Sequence, residues 1–297
     1  MLYVYRGINM KKFKNIAVIS KKDDKNVADT LKSVVSFLED RKFNYFLDKN
    51  SAKLISTNKN NIEDVLPDNC DIVLIIGGDG TLLSAAQTCA DQNIPICGIN
   101  KGRMGFLADI PPDKVNEDLK HILVDGDFSI DSRFSLSGEI IREGKSISKN
   151  LAFNDIVIHS RDAIRMIEMD IKVDNENVYT LNADGMIVST PTGSTAYALS
   201  GGGPIIQPNL EALVLVPISP HILSNRPIVI NSGSTVEIKL SEKSHTNGTV
   251  SFDGQINIPL NTEDVVRIEK SKVVLRLIQP PNHSYFSILR KKLGWGT

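Results

Sequence analysis

Short apolar runs alternate with amphipathic segments through the first 124 residues. The apolar runs have the length and β-branched content of buried strands, and they lie at residues 15–20, 43–47, 72–76 and 94–99. The segments with helical spacing or helix-favouring composition lie at residues 27–38, 82–90 and 113–124. This alternation predicts an α/β domain with an open, mostly parallel sheet that binds ligands at the carboxyl ends of its strands.

From residue 125 the pattern changes to short strands separated by turn signals. These signals include Glu143-Gly144, Asp174-Asn175, Asn231-Ser-Gly233 and Asp253-Gly254. They predict an all-β second domain over residues 125–280. After it, Tyr285, Phe286, Ile288, Leu289 and Leu293 fall roughly on one face of a helix, which predicts an amphipathic helix that needs a core to cover it.

Composition narrows the function mainly by exclusion. A chain of 297 residues is long enough for two domains, and a net charge of −1 gives no general attraction to nucleic acid or to an anionic membrane. The longest apolar stretches have the length of strands, so no membrane span is expected. Residues 1–9 lack a signal-peptide pattern and precede a second plausible start at Met10, so we interpret them as an extension without function.

The three cysteines, Cys70, Cys89 and Cys97, have no zinc-site spacing and sit in or beside apolar elements. We expect them to be reduced core residues of a cytoplasmic protein.

A glycine-rich turn, Gly77-Gly-Asp-Gly-Thr81, follows the apolar run 72–76 directly. Glycines leave backbone N–H groups open, and the start of a helix favours anions, so such a turn suits phosphate. Asp79 repels phosphate, so a functional Asp79 either binds a metal or takes a proton from a hydroxyl. The alternative is an Asp-Gly turn in which Asp79 caps the helix.

A second loop concentrates hydroxyl groups. Residues 190–197 read Thr-Pro-Thr-Gly-Ser-Thr-Ala-Tyr, after the strand-like run 185–189 and before glycines at 201–203. Small donors and close backbone approach suit a polar, uncharged ligand such as a sugar or a base. The alternative is a turn in which Ser194 caps a short helix.

Further motifs accompany these loops in a fixed order: Asn154-Asp155, Gly202-Gly-Pro204, the stretch 220–227, Phe252-Asp-Gly-Gln255 and the ending 285–295. With them the chain resembles the bacterial NAD kinases from about residue 16 to its end. The Gly-Gly-Asp-Gly loop alone is weak support because lipid kinases and phosphofructokinases share it. The 190–197 loop, in this order, is specific.

The resemblance implies transfer of the γ-phosphoryl group of ATP to the adenosine 2′-hydroxyl of NAD, giving NADP. Asp79 would take the hydroxyl proton as catalytic base, and Gly77, Gly78 and Gly80 would approach the phosphates. The sequence holds no His/Cys/carboxylate cluster, so Mg²⁺ is expected to arrive with ATP.

The family also assigns dinucleotide contacts. The matching residues are Asn154, Asp155, Arg165, Asn182, Asp184, Thr195, Ala196, Tyr197, Ser200, His221 and Gln255. An Asn amide both donates and accepts at a base edge, and a carboxylate accepts from ribose hydroxyls. Proteobacterial members often carry Arg at the position of Asn182, which leaves the choice of acceptor and donor open. The other histidines, His159 among them, give no functional hypothesis.

The expected architecture is an α/β nucleotide-binding domain over residues 1–124, with residues 281–297 folding back onto it, and an all-β dinucleotide-binding domain over 125–280. The family further implies a homo-oligomer, a tetramer or a dimer, whose sites a neighbouring subunit partly completes. Two alternatives stay open: a lipid or sugar kinase, which leaves the 190–197 loop unexplained, and a non-catalytic NAD(P)-binding regulator, which leaves Asp79 unexplained.

Overall fold

The computed structural model describes residues 13–56, 62–63, 65–102, 105–108, 110–162, 165–222, 224–244 and 246–295. Residues 1–9, interpreted above as an extension, and part of the motif at 220–227 therefore lie outside the described residues. By its internal contacts the chain divides into a first unit, residues 1–132 with 275–297, and a second unit, residues 133–274. Residues 125–132 and 275–280, which the sequence analysis assigns to the second domain, fall in the first unit.

The strands, in chain order, are β1 Asn15–Ser20, β2 Asn44–Asp48, β3 Ile62–Glu63, β4 Ile72–Gly77, β5 Ile96–Asn100, β6 Ser129–Arg142, β7 Lys145–Ala152, β8 Asp155–Ser160, β9 Ile167–Val173, β10 Glu176–Ala183, β11 Gly185–Ser189, β12 Ala212–Ile218, β13 Ile228–Asn231, β14 Val236–Leu240, β15 Gly248–Phe252, β16 Ile256–Leu260 and β17 Val265–Gln279. The α-helices are α1 Ala28–Asp40, α2 Lys49–Leu54, α3 Asp79–Asp91, α4 Val115–Leu119, α5 Tyr197–Ser200 and α6 Tyr285–Leu293. Within the described ranges, no helix has the length and apolar character needed to cross a membrane.

The first unit confirms the predicted parallel sheet. Its strands run in the order β3-β2-β1-β4-β5, and every neighbouring pair is parallel. Strand β4 is buried along its whole length, as its continuous apolar run predicts. Helix α1 buries a stripe on the core that includes Leu31, Val34 and Leu38. The carboxyl ends of the parallel strands therefore lie along one edge of this sheet.

The second unit is β-rich, as predicted, and its core lies between two layers. One sheet runs in the order β13-β12-β11-β8-β15-β16, and each neighbouring pair is antiparallel. The other layer contains the antiparallel strands β10, β9 and β14 and the adjoining part of β17. Ile156 and Ile158 of β8 are among the core residues. Because side chains alternate along a strand, Asp155, Val157 and His159 lie on the opposite face of β8.

Two predicted helices differ in detail. The helix expected at 113–124 changes its hydrogen-bond register: a 3₁₀ turn at 112–114 leads into α4, and a π-helical segment follows at 120–125. In α6 the buried residues are Ile288 and Leu289, whereas Phe286 is 54 % exposed. Tyr285 and Leu293 are half-buried beside them, at a spacing of i, i+3, i+4 and i+8, so placing Phe286 on the buried face was wrong.

Candidate active site

The glycine loop of the first unit joins β4 to α3. A Cβ on Gly77 would lie 2.5 Å from Oγ1 of Thr81, so only glycine allows this close approach. A Cβ on Gly78 or Gly80 would meet nothing within 4 Å, which means that the backbone there faces open space. Gly78 is the N-cap residue of α3. The loop thus offers open N–H groups at the positive end of a helix, as phosphate binding requires.

Asp79 connects this loop to the segment after β5. Its carboxylate oxygens accept N–H hydrogen bonds from Phe106 at 2.9 Å, Leu107 at 2.9 Å and Ala108 at 3.1 Å. A Cβ on Gly105 would lie 2.1 Å from Oδ1 of Asp79, so glycine is required there as well. Asp79 is in the first turn of α3 and does not cap it, because the carboxylate bonds a distant segment. Its orientation is fixed by the backbone of a second loop.

A cleft of about 880 Å³ lies beside the glycine loop within the first unit. Apolar side chains of the sheet line it, among them Ala17, Ile19 and Phe46. Lys21, Lys22 and Lys101 also line it. Nζ of Lys101 lies 2.6 Å from Oδ2 of Asp24, and this hydrogen bond holds the pKa of Asp24 below its ordinary value. An apolar cleft with lysines beside open N–H groups matches a nucleotide with its phosphates.

A groove of about 570 Å³ lies on the outer face of β8 in the second unit. Its lining residues are Asn154, Asp155, Val157, His159, Ser160, Asp162, Asp184, Ala196, Tyr197, Ile218, Ser251, Asp253 and Gly254. Four of these are Asp, and among the described lining residues there is no Lys or Arg. A groove of this charge favours hydroxyls and cationic groups over phosphates.

Asp155 is the most perturbed group of the groove. It is 4 % exposed, and burial together with the charge of Asp253 raises its pKa to about 7. Burial also raises the pKa of Asp253, against the effect of its hydrogen bonds. Asp253 accepts N–H bonds from Phe153 at 2.8 Å, Asn154 at 2.7 Å and Asp155 at 3.1 Å. A titratable carboxyl poised near neutrality in a cleft is typical of a functional site.

The raised pKa of Asp155 predicts how stability depends on pH. Between its ordinary pKa of 3.8 and about 7, the folded state binds more protons than the unfolded state, so stability falls as pH rises through this window. We expect a loss of roughly 3 kcal/mol between pH 5 and pH 8 from this group. Asp155→Asn removes this titrating carboxyl. The urea unfolding midpoint of the variant should therefore change less between pH 5 and pH 8 than that of the wild type.

Glu176→Gln, at an exposed position on β10, is the matched control and should keep the wild-type slope. Equal slopes for Asp155→Asn and Glu176→Gln would show that Asp155 does not titrate in this window.

Of the residues expected at the dinucleotide, the groove brings together Asn154, Asp155, Asp184, Ala196 and Tyr197. Thr195 lies in the 190–197 loop and Ser200 lies in α5, but neither residue lines the groove. The other expected contacts lie outside its lining, and each is exposed: Arg165, Asn182, His221 and Gln255. His221 donates its backbone N–H to the carbonyl of Asn182 at 2.9 Å, so these two are neighbours.

The hydroxyls of the 190–197 loop mostly hold the loop itself. Oγ1 of Thr190 donates to the carbonyl of Phe153 at 2.6 Å, and Oγ of Ser194 donates to that of Pro191 at 2.6 Å. Thr195 donates to the carbonyl of Thr192 at 3.2 Å. A Cβ on Gly193 would lie 2.2 Å from the carbonyl oxygen of Asn154. These hydroxyls therefore bond within the loop, although Ser194 does not cap a helix as the alternative expected, and the loop positions Asn154.

Sequence reasoning missed Asp253 and His159. Asp253 sits in the quoted turn 252–255, but its role depends on a contact with residues 153–155, about 100 positions away. His159 lines the groove, and its Nδ1 lies 2.9 Å from the carbonyl oxygen of Ser160. The alternation Asp155, Val157, His159 along a strand is the signal that could have placed it on the ligand face.

No group of three His, Cys, Asp or Glu residues in the described part of the chain is arranged to hold a metal ion. The three cysteines are buried and unbridged. Burial raises the pKa of the Cys70 thiol, and burial with the nearby Cys70 raises that of Cys89 to about 12. They are core residues, as predicted.

Comparisons with known proteins agree along the whole chain. The model of the ATP-NAD kinase N-terminal domain matches residues 16–128, and that of the C-terminal domain matches residues 153–279. The NAD kinase of Chromohalobacter salexigens is 42 % identical over 290 residues, which cover 97 % of this chain and 99 % of the relative. The NAD kinase of Pseudomonas putida GB-1 is 41 % identical, with 97 % and 98 % covered.

Two solved structures share the fold. Yeast NADH kinase complexed with NADH superposes with a TM-score of 0.83 at 22 % identity, covering 96 % of this chain and 89 % of the other. An NAD kinase from Archaeoglobus fulgidus in complex with ATP has a TM-score of 0.72 at 27 % identity, covering 94 % and 98 %. Since relatives more than 40 % identical align over nearly its full length, the chain belongs to the NAD kinase family.

Proposed function

We propose that this chain transfers the γ-phosphoryl group of ATP to the adenosine 2′-hydroxyl of NAD and so produces NADP. The observation that carries the proposal is Asp79. It stands between two loops, held by three backbone N–H groups, beside a glycine turn open to phosphate. A binding protein gains little from a carboxylate next to phosphate, whereas a kinase needs one to take the proton of the attacking hydroxyl.

ATP occupies the cleft of the first unit in this proposal. The apolar lining receives the adenine, and the open N–H groups of Gly78 and Gly80 approach the phosphates. Mg²⁺ that arrives with ATP would neutralise the charge on its phosphates during transfer. Both oxygens of Asp79 already accept N–H bonds, and the described residues offer no three-ligand cluster. A metal that arrives with the nucleotide fits these residues better than one held by the protein.

NAD occupies the groove of the second unit in this proposal. Asp155 and Asp184 accept from ribose hydroxyls, and the Asn154 amide contacts a base edge. Tyr197, half exposed beside the groove, offers a ring for stacking. Arg165, Asn182 and His221 are exposed outside the groove, so a neighbouring subunit can contact them. We therefore propose that the protein forms a homo-oligomer, a tetramer or a dimer. We also propose that it is cytoplasmic.

The decisive experiment incubates the purified protein with NAD, ATP and MgCl₂ and detects NADP with an NADP-specific dehydrogenase. Formation of NADP that depends on all three components supports the proposal, and its absence from folded protein contradicts it. A thermal-shift panel of NAD, NADP, ATP and diacylglycerol separates the alternatives. A lipid kinase responds to diacylglycerol, and a regulator binds NAD(P) without turnover.

A further inference from the structure

The terminal helix α6 brings a lysine to the catalytic loop of the first unit. Nζ of Lys292 lies 3.7 Å from Oδ2 of Asp79 and 4.8 Å from the centroid of the Phe106 ring. The N–H of Phe106 donates to the same carboxylate oxygen. We propose that Lys292 belongs to the phosphoryl-transfer site, where it offsets the charge of Asp79 and receives the anionic γ-phosphate of the donor. This inference rests on the proposed function.

The geometry indicates that Lys292 contributes its charge to the site and does not orient Asp79. The distance of 3.7 Å between Lys292 and Asp79 exceeds that of a hydrogen bond. Three backbone N–H groups already orient Asp79, so the lysine is not needed to hold the carboxylate in place. Both side chains are about one-third exposed, at 30 % and 29 %. An ion pair so open to solvent contributes little to stability, yet a ligand can reach it.

The charge is needed because Asp79 stands where the donor phosphates bind. The first turn of α3 attracts phosphate through its N–H groups, but the carboxylate in the same turn repels it. A lysine ammonium is a compact charge that compensates this repulsion. The face of Phe106 holds the ammonium in position as its anionic partner changes.

The change of partner follows from the chemistry of transfer. The proton of the 2′-hydroxyl passes to Asp79, the bond from the 2′-oxygen to the γ-phosphorus forms, and the bond from that phosphorus to the bridging oxygen of ADP breaks. Asp79 becomes neutral in this step, so the phosphoryl oxygens become the strongest partner of Lys292. The lysine keeps its proton throughout and stabilises charge in the transition state.

The helix supplies its own control. Both lysines are exposed, but Lys292 follows Ile288 by four positions and Leu289 by three and reaches Asp79, whereas Lys291 lies one position off that row. In the described part of the chain Lys291 makes no ion pair. Lys291→Gln therefore removes the same charge from the same turn without touching Asp79.

The test compares Lys292→Gln, Lys292→Arg and Lys291→Gln in the full chain after wild-type NADP formation is established. Failure of the wild type overturns the proposed function, whereas the variants test only the lysine. We expect Lys292→Gln to raise the KM for ATP about tenfold and to lower kcat by at least as much. The KM for NAD should stay within about twofold, and Tm within about 2 °C.

Lys292→Arg should recover most of the activity because it restores the charge, and Lys291→Gln should match the wild type. Kinetics of Lys292→Gln equal to those of Lys291→Gln would overturn the inference. So would an arginine variant no better than the glutamine variant, since charge would then not be the contribution. A large loss of Tm in Lys292→Gln that arginine does not restore would assign the lysine a structural role instead.

Discussion

Asp79→Asn should lower kcat by about 10²- to 10⁴-fold while NAD and ATP binding stay within about tenfold. Asn keeps the volume of the side chain but lacks the negative charge that accepts the hydroxyl proton. Its single amide oxygen also cannot replace two carboxylate oxygens that together accept three N–H bonds. We therefore expect Tm to fall by a few degrees, in line with an unpaired donor that costs about 1–3 kcal/mol.

The matched control is Asp91→Asn, at the exposed end of the same helix α3. It removes one carboxylate from α3 without touching the glycine turn at 77–81 or residues 105–108, and it should leave both kcat and Tm near the wild type. Steady-state kinetics with isothermal titration of both substrates decide the outcome. If Asp79→Asn keeps most of its kcat, Asp79 is not the base. If binding and kcat fall together, its main role is to hold the loop at 105–108.

The first unit could be predicted from sequence because its signals are local. The run 72–76 is apolar without interruption, which only a strand covered on both faces requires, and β4 is buried throughout. The glycine turn after it could be recognised as a phosphate-binding candidate because it lies between a strand and a helix that are both evident from the local sequence. For the second unit, only its β-rich class could be predicted. The order of its short antiparallel strands depends on pairing between positions that are distant in the sequence. Nothing local in β8 says that it lies between β11 and β15.

The sequence predicted those candidate site residues that belong to recognisable motifs. Three contacts that sequence reasoning missed join distant positions: Asp79 with residues 106–108, Asp253 with 153–155, and Lys292 with Asp79. The place of His159, in contrast, follows from local alternation along β8. The alternative that Ser194 caps a short helix was also wrong, because its fully buried hydroxyl donates to the carbonyl of Pro191 within the loop and caps neither helical segment there. Family resemblance supplied candidate positions but said nothing of what each side chain touches, so the roles assigned to them stay predictions.

The second large effect concerns the acceptor, for which we expect NAD to be preferred over NADH by roughly 5- to 150-fold in kcat/KM. The two differ at the nicotinamide ring, which carries a positive charge only in NAD. The groove lining holds Asp155, Asp162, Asp184 and Asp253 and, among its described residues, no basic side chain except the imidazole of His159. A partly desolvated carboxylate near the ring is worth about 1–3 kcal/mol, which corresponds to that range.

Asp184 is the carboxylate expected to carry the preference, because it lines the groove and a ring bound against it would remove part of its water. Asp184→Asn should therefore narrow the gap between NAD and NADH by lowering kcat/KM for NAD while that for NADH changes little. Asn182, although expected from the family to affect substrate choice, lies outside the groove lining, so Asn182→Gly serves as the control and should leave the ratio unchanged. The measurement is kcat/KM for both dinucleotides side by side at saturating ATP and Mg²⁺. Equal values in the wild type, or a ratio that responds to position 182 and not to position 184, would contradict an electrostatic origin in this groove.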